Sequence, residues 1–376
     1  MIDEFGAVAR ELRIGDGPVR VLVKDCLDIA GYPTFQGSAV MADAPPASDD
    51  ANVVRRLRQD GSLTIVGKAN MHEFAFGVTG ANAWAGTPVN PRWLDRIPGG
   101  SSSGSAVGVA AGIADVAIGT DTGGSVRMPA ACCGVVGFKP SFGLVSREGV
   151  HPCASTLDCV GVFAAHVGEV ERTMATIAGH WTTEDAPATL RIGVLDVEAD
   201  DEVGAAFADA LTRLGGGETC RADSFVDAFD AGLTVMGAET WSAIGAHVDD
   251  PAMGEDVRGR VRAGSMVRPE DLAAAEAVRR RFSAEIDALL GRFDVLVLPT
   301  LPVVPPTIEE AADPRTCVPL TRLVRPFNLS GHPAVTLPLL SDRGLPVGLQ
   351  IVGRMNGDAR LCACAREIEK RLAAAS

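Results

Sequence analysis

The sequence predicts an α/β protein, a sheet covered by helices. Three observations predict it: a strand, a helix and a second strand in succession near the start of the chain, enough apolar residues for a large core, and short apolar runs alternating with longer amphipathic ones down to the carboxyl end. Of 376 residues, 47% are apolar and 22% charged, the balance of a globular chain rather than of a disordered one or a coiled coil. Aromatic residues make up only 5%, with one tyrosine, against 42 glycines, so small residues must fill much of the interior.

The run Val19 to Lys24 alternates and is β-branched, which reads as a strand. Residues 50 to 58 carry Val53, Val54 and Leu57 on one helical face, with Asp49 or Asp50 as a cap and Gly61 past the end. Ser62 to Val66 gives a second strand, completing a crossover unit of the kind that builds parallel or mixed sheets. Lys68 falls just beyond that strand's carboxyl end, where open α/β sheets place ligands. Gly86 to Gly104 is a long loop of Pro, Gly, Ser and Asn, and loops of that length are more often functional than idle. Ser105 to Ile113 is apolar all round and reads as a buried helix. Asp115 to Gly119 is a strand running into Thr120-Asp121-Thr122-Gly123-Gly124-Ser125, after which Met128 and Pro129 open a short helix.

Beyond residue 165 the spacing predicts helices over 167–178, 200–214, 269–290 and 359–373. Strands are expected over 190–195, 295–298, 335–339 and 347–352. No internal repeat or linker stands out, so 1–376 reads as a single domain, with a core at about 60–165, a divergent middle at about 165–290 and carboxyl-terminal core blocks over 291–376.

A net charge of −14 excludes nucleic-acid binding driven by overall positive charge. Residues 1–13 mix Asp3, Glu4, Arg10 and Glu11 with apolar residues, which is no signal peptide, so a cytoplasmic location is expected. The longest apolar stretch, Ser105 to Thr120, is too short and too interrupted for a membrane span. Nine cysteines without a CxxC pair fit reduced thiols. His72 and Glu73 have no HExxH partner, since Phe76 occupies the last position, and the other histidines lack ligand spacing; no metal or other cofactor is expected.

Two motifs fail on their context. Gly100-Ser101-Ser102-Ser103-Gly104 fits G-x-S-x-G, but Asp95 to Gly99 is no strand, so a nucleophile elbow does not form. Gly61 to Lys68 has one residue too many for a phosphate loop, and Ala69 stands where the magnesium-binding hydroxyl belongs. What remains is Gly67-Lys68 after one strand, the glycine-serine loop of 99–104, and Gly123-Gly124-Ser125 after another strand.

Their order and spacing resemble the amidase signature family, whose nucleophilic serine follows a cis-serine at the interval that separates Ser101 from Ser125. Asp294 to Pro302, Asn328 to Pro338 and Gly344 to Arg354 are similar to that family's carboxyl-terminal blocks, and Val23-Lys24-Asp25 to its opening strand. The resemblance implies one domain with a large mixed, mostly parallel central sheet covered by helices on both faces. It also implies Ser125 as nucleophile, Ser101 as relay, Lys68 as base, and Thr122, Gly123, Gly124 and Ser125 as the oxyanion hole. Met71, Ser102 and Thr122 are expected at the substrate, and Phe74, Phe76 and Trp84 beside them, with core packing the equal alternative for Met71 and the aromatics.

The chemistry is coherent. A serine hydroxyl attacks only after a base takes its proton, and a lysine serves only when neutral, which burial and nearby positive potential favour. The helix starting near Ser103 directs its positive end at the cluster, and the rate should rise into alkaline pH. Arg127 is expected to pair with Asp121 or Asp158 rather than with a substrate carboxylate. The chain most resembles short indole-3-acetamide amidases, implying a small or aryl-substituted primary amide as substrate and, as the family suggests, a homodimer. The alternatives are a ureido-acid hydrolase of the allophanate type, the A subunit of a glutamine-dependent tRNA amidotransferase, and a catalytically silent scaffold.

Overall fold

The computed structural model describes residues 3–153 and 155–374. In chain order the main elements are β1 (Val8–Ile14), β2 (Val19–Lys24), α1 (Asn52–Gln59), β3 (Leu63–Ala69), α2 (Ser103–Ala110), β4 (Val116–Asp121), α3 (Arg127–Cys133), β5 (Val136–Lys139) and β6 (Cys159–Ala164). There follow α4 (Val167–Ile177), β7 (Ile192–Leu195), α5 (Asp201–Leu214), β8 (Glu218–Cys220), α6 (Phe225–Ile244), α7 (Glu255–Gly264), α8 (Pro269–Arg292), β9 (Val295–Pro299), β10 (Ala334–Leu340), β11 (Pro346–Val352) and α9 (Asp358–Ala374). The strands form one sheet in the order β1-β3-β2-β4-β6-β5-β10-β11-β9-β7-β8.

The sheet is mixed, as expected, but its balance is not mostly parallel. Parallel pairing is confined to β2–β3, β2–β4, β7–β8 and β7–β9, at the two crossover units. The remaining pairs, among them β4–β6, β5–β6 and β10–β11, are antiparallel. β10 and β11 are joined by a short Gly344-containing turn, and so tight a connection permits only antiparallel neighbours.

Alternation along each strand sorts the helices into two layers. Val21 and Val23 of β2, Ile65 of β3 and Val297 of β9 face a core shared with α1, α4, α5 and α9. Leu22, Ala69 and Ala117 face α2 and α3, while Leu296 and Leu298 on that same side face α6 and α8. Among the described residues no helix is long and apolar enough to cross a membrane.

Some elements carry no clear advance signal. β1 alternates between half-buried and exposed positions as an antiparallel edge strand on β3, a pattern its residue types obscure because Arg10 is half-buried and Ala9 exposed. β6 is a wholly buried run with two glycine- or alanine-sized positions, and α6 has no contrasting polar face to mark its period.

Candidate active site

β2, β3 and β4 end side by side, and the loops beyond them carry the residues singled out in the sequence. The glycine-serine loop leads into α2, which packs so closely on the sheet that a Cβ at Gly104 would lie 2.3 Å from the Ala7 carbonyl oxygen. Only glycine permits that approach. The Gly100–Ser101 peptide is cis, and Ser101 to Ser103 are buried.

Lys68 is not beside Ser101. Its Nζ donates to the Pro33 carbonyl at 3.0 Å and to Thr34 Oγ1 at 2.9 Å, and it lies 3.0 Å from Asp25 Oδ1 as an ion pair outside hydrogen-bond alignment. The lysine that meets Ser101 is Lys24, whose Nζ donates to Ser101 Oγ and to Thr120 Oγ1, each at 2.8 Å. Register explains the difference. Val23 is paired with Lys68 and Lys24 with Ala69, and paired residues share a face, so the two lysines leave the sheet on opposite sides. Lys24 emerges with Leu22 on the side of α2; Lys68 emerges with Val23 and Asp25. The signal that selects Lys68, a lysine at the carboxyl end of a buried strand, applies equally to Lys24, and only pairing separates them.

Lys24 is fully buried, and that burial pushes its ammonium group down from the ordinary lysine range, opposed by the negative potential of Cys26, Asp158 and Asp121. It has no carboxylate within ion-pair distance among the described residues, whereas Lys68 has one.

The loop of residues 122–126 is held by a clasp. Asp121 accepts backbone N–H bonds from Gly124 at 2.8 Å, Val126 at 3.2 Å and Arg127 at 3.3 Å. Arg127 answers with Nε and Nη2 on the same carboxylate at 3.0 and 2.9 Å, and spends its other N–H groups on Asn328 Oδ1, Gln350 Oε1 and the Val324 carbonyl, each at 2.7 Å. Arg127 is therefore a structural cation, paired with Asp121 as the sequence suggests. Burial alone would raise the Asp121 carboxyl; the Arg127 guanidinium overrides it and holds the group well below the usual carboxylate range. Gly124 sits at φ +110°, a conformation that excludes a side chain.

This clasp bears on which N–H groups of the loop are open to an oxyanion. The Gly124 N–H is committed to Asp121, leaving Thr122, Gly123 and Ser125 as backbone donors without a hydrogen-bond partner among the described residues. Ser125 itself is half-buried at the tip of the loop. Ser102 departs from expectation, while Met71 and Trp84 follow the packing alternative. Ser102 Oγ donates to the Thr120 carbonyl at 3.1 Å and accepts from the Thr120 N–H at 3.3 Å, so it staples the loop to β4 rather than reaching a substrate. Met71 is wholly buried in the core, and Trp84 packs edge-on against Phe35.

Thr122 does line a cavity, together with Phe74, Phe76, Asp158, Met236 and Ile244, while its hydroxyl donates to Asp158 Oδ1 at 2.9 Å. Through Phe74, Pro152, Ser155, Glu239 and Ile244 this space adjoins a larger one of about 390 Å³. Glu239, on α6, ties the wall of the cavity together by accepting from Ser155 Oγ at 2.9 Å and from Thr156 Oγ1 at 2.6 Å. Lys24, Asp121, Asn328, Gln350 and α6 are the contributors that sequence reasoning did not assign to the site. α6 lies in the divergent middle, where no motif identifies it.

Known proteins resemble this chain over nearly its whole length. The Amidase family model matches residues 18–362. A fatty acid amide hydrolase of Medicago truncatula is 34% identical over 96% of this chain, which spans 65% of that protein's length. The A subunit of the glutamyl-tRNA(Gln) amidotransferase of Natronomonas pharaonis is 36% identical, covering 92% of this chain and 94% of its own. Among solved structures, a 6-aminohexanoate cyclic dimer hydrolase superposes with a TM-score of 0.85 at 27% identity, over 98% of this chain and 90% of that one.

Proposed function

This chain belongs to the amidase family of enzymes, hydrolases acting on carbon–nitrogen bonds, and on that premise we propose that it hydrolyses a small or aryl-substituted primary amide to acid and ammonia through an acyl-enzyme on Ser125. Lys24 is the base and Ser101 the relay. The observation that carries the assignment is the 2.8 Å contact from Lys24 Nζ to Ser101 Oγ, made by a buried lysine whose ammonium form is disfavoured.

Ser125 Oγ attacks the amide carbon as its proton passes to Ser101 Oγ, and the Ser101 proton passes to the neutral amine of Lys24. The carbonyl oxygen becomes an alkoxide held by backbone N–H groups of the 122–125 loop, a type of contact worth roughly 10² to 10³ in turnover per donor. Collapse of that intermediate breaks the carbon–nitrogen bond while the proton returns through Ser101 to the leaving nitrogen. Water then takes the place of Ser125 by the same route and releases the acid. Thr122, Phe74, Phe76 and Met236 line the space beside the loop, which suits an apolar or aromatic acyl group.

The likeness to the A subunits of amidotransferases favours a second reading, in which the chain works with partner subunits on glutamine. One experiment tests both: ammonia release by the isolated chain from aliphatic, aryl-acetic and ureido amides and from glutamine, repeated with Ser125→Ala. The first reading expects turnover of an aryl or small aliphatic amide that vanishes in the variant. Release from glutamine alone supports the second reading, preference for a ureido acid supports the allophanate type, and no turnover of any of them by the isolated chain overturns the first reading.

A further inference from the structure

We infer that Arg325 supplies the positive charge behind the oxyanion loop that stabilises the alkoxide formed when Ser125 attacks. The inference rests on the acyl-enzyme reading above and adds to it a residue outside the serine–serine–lysine relay.

Two buried arginines stand near the loop, and they differ in one respect. Arg127 has an acceptor for each side of its guanidinium. Arg325, only 5% exposed, has neither at Nε nor at Nη1 a hydrogen-bond partner among the described residues, and both atoms are sealed from solvent. Its Cζ lies 4.7 Å from the centre of the Phe229 ring, a favourable but modest neighbour for a cation. The acid that bears on it is Asp230, by field rather than by contact. Burial pushes the guanidinium down to about 10, so it remains charged at neutral pH. A buried cation without a paired anion is costly, and such a group calls for a reason.

Position supplies the reason. A Cβ built on Gly123 would lie 3.1 Å from Arg325 Nε, so the guanidinium fills the space where a side chain at 123 would stand, against the backbone of the loop. On α6, Gly232 leaves room for the stem, since a Cβ there would be 2.9 Å from Arg325 Cγ. The residue is also rigidly mounted. Arg325 sits in the segment whose Val324 carbonyl and Asn328 amide bind Arg127 and Asp121, so the clasp that shapes the loop also fixes the distance from the charge to it. In the ground state the substrate carbonyl is neutral and the charge finds no counterpart. When the alkoxide forms, it does, and an interaction gained only in the transition state raises kcat rather than lowering KM.

The test uses the full chain with Arg325→Met and Arg325→Lys. Three quantities are measured per fluorophosphonate-reactive Ser125: kcat and KM on an amide turned over by the wild type, the rate of fluorophosphonate labelling, and the affinity of a boronic acid that forms an anionic tetrahedral adduct. Arg325→Met should lower kcat by roughly tenfold to a hundredfold, less than loss of a direct donor. KM should stay within about threefold, and boronate affinity should fall by a similar factor to kcat. Arg325→Lys, if it folds where Met does not, should recover most of kcat by restoring charge. A folded Met variant with kcat within about twofold of wild type, or a loss confined to KM, would overturn the inference, the second outcome making Arg325 a substrate-binding group. Absence of labelling of wild-type Ser125 would bring down the acyl-enzyme reading and this inference together; a labelled wild type with an unaffected variant would sink the inference alone.

Discussion

The ends of β2 and β3 lie side by side and each carries a buried lysine, yet the two sides of the sheet treat them in opposite ways. On the α2 side Lys24 meets two hydroxyl groups; on the other side Lys68 meets a carboxylate, a carbonyl and a hydroxyl. The carboxylate beside it makes Lys68 one half of a buried ion pair. Hydroxyl partners give back little of the hydration an ammonium loses on burial, which disfavours the charged form of Lys24 and suits the base role proposed for it. The lesson is that a buried lysine becomes a base through what faces it, and one step of strand register decides what that is.

The sharpest way to break this comparison is to remove each amine in turn. Lys24→Met should lower kcat by about 10² to 10⁴, the range for loss of a general base, with a melting temperature at or above that of wild type because a buried polar group is replaced by a methionine of similar length. Steady-state kinetics with thermal melts check it, and a fully active variant would remove Lys24 from the mechanism.

Lys68→Met should do the reverse. It strands the 2% exposed Asp25 carboxylate, and breaking one side of a buried pair costs about 3 to 5 kcal/mol, read as a lower denaturant midpoint. The activity per folded molecule should stay far above that of Lys24→Met. Adding Asp25→Leu to Lys68→Met should restore most of the lost stability, because replacing both partners with apolar groups is often close to neutral. A double variant no more stable than Lys68→Met would show that the pair is not what Lys68 contributes.

The pH profile sharpens the same contrast. Burial lowers Lys24, so log kcat/KM should rise with pH along a limb centred below 10.5, as Lys24 loses its proton in the free enzyme. The stability sign follows from the same shift. Between the lowered folded value and 10.5 the unfolded chain binds more protons, so Lys24 makes stability increase with pH across that window. Lys68→Met should leave the limb in place, and a limb that disappears with Lys68 would return the base assignment to that residue. The smallest effect is expected of Thr120→Val, which removes one of the two hydroxyl partners of Lys24. It should cost roughly 1 kcal/mol or less in ΔG‡, several-fold in kcat, with Ser101 still in contact.

Much of this molecule was legible without coordinates, for reasons that vary by element. β2, α1, α4, α5, α8 and α9 follow from periodicity and caps, and α8 even begins at Pro269 with a capping Asp271. The glycine-serine loop and Gly123-Gly124-Ser125 are recognisable because close backbone approach tolerates only small residues. The committed Gly124 N–H was not legible, because nothing local says that Asp121 turns back on it. The roles of Ser102, spent on Thr120, and of Met71, spent in the core, depend likewise on partners far along the chain.

The sequence by itself determined the family and the fold class, and singled out the serines on which the proposal rests, since these follow from residue types at fixed local intervals. Only the tertiary structure decided which lysine faces Ser101 and, among the described residues, which loop donors stay free and which arginine stands unpaired. Each depends on pairing between segments remote in the chain: β2 with β3 for the lysines, β4 with residues 324–350 for the clasp, and α6 with residue 325 for the unpaired charge. Local patterns fix the direction of a side chain relative to its own strand or helix; its partner is fixed only when distant elements meet.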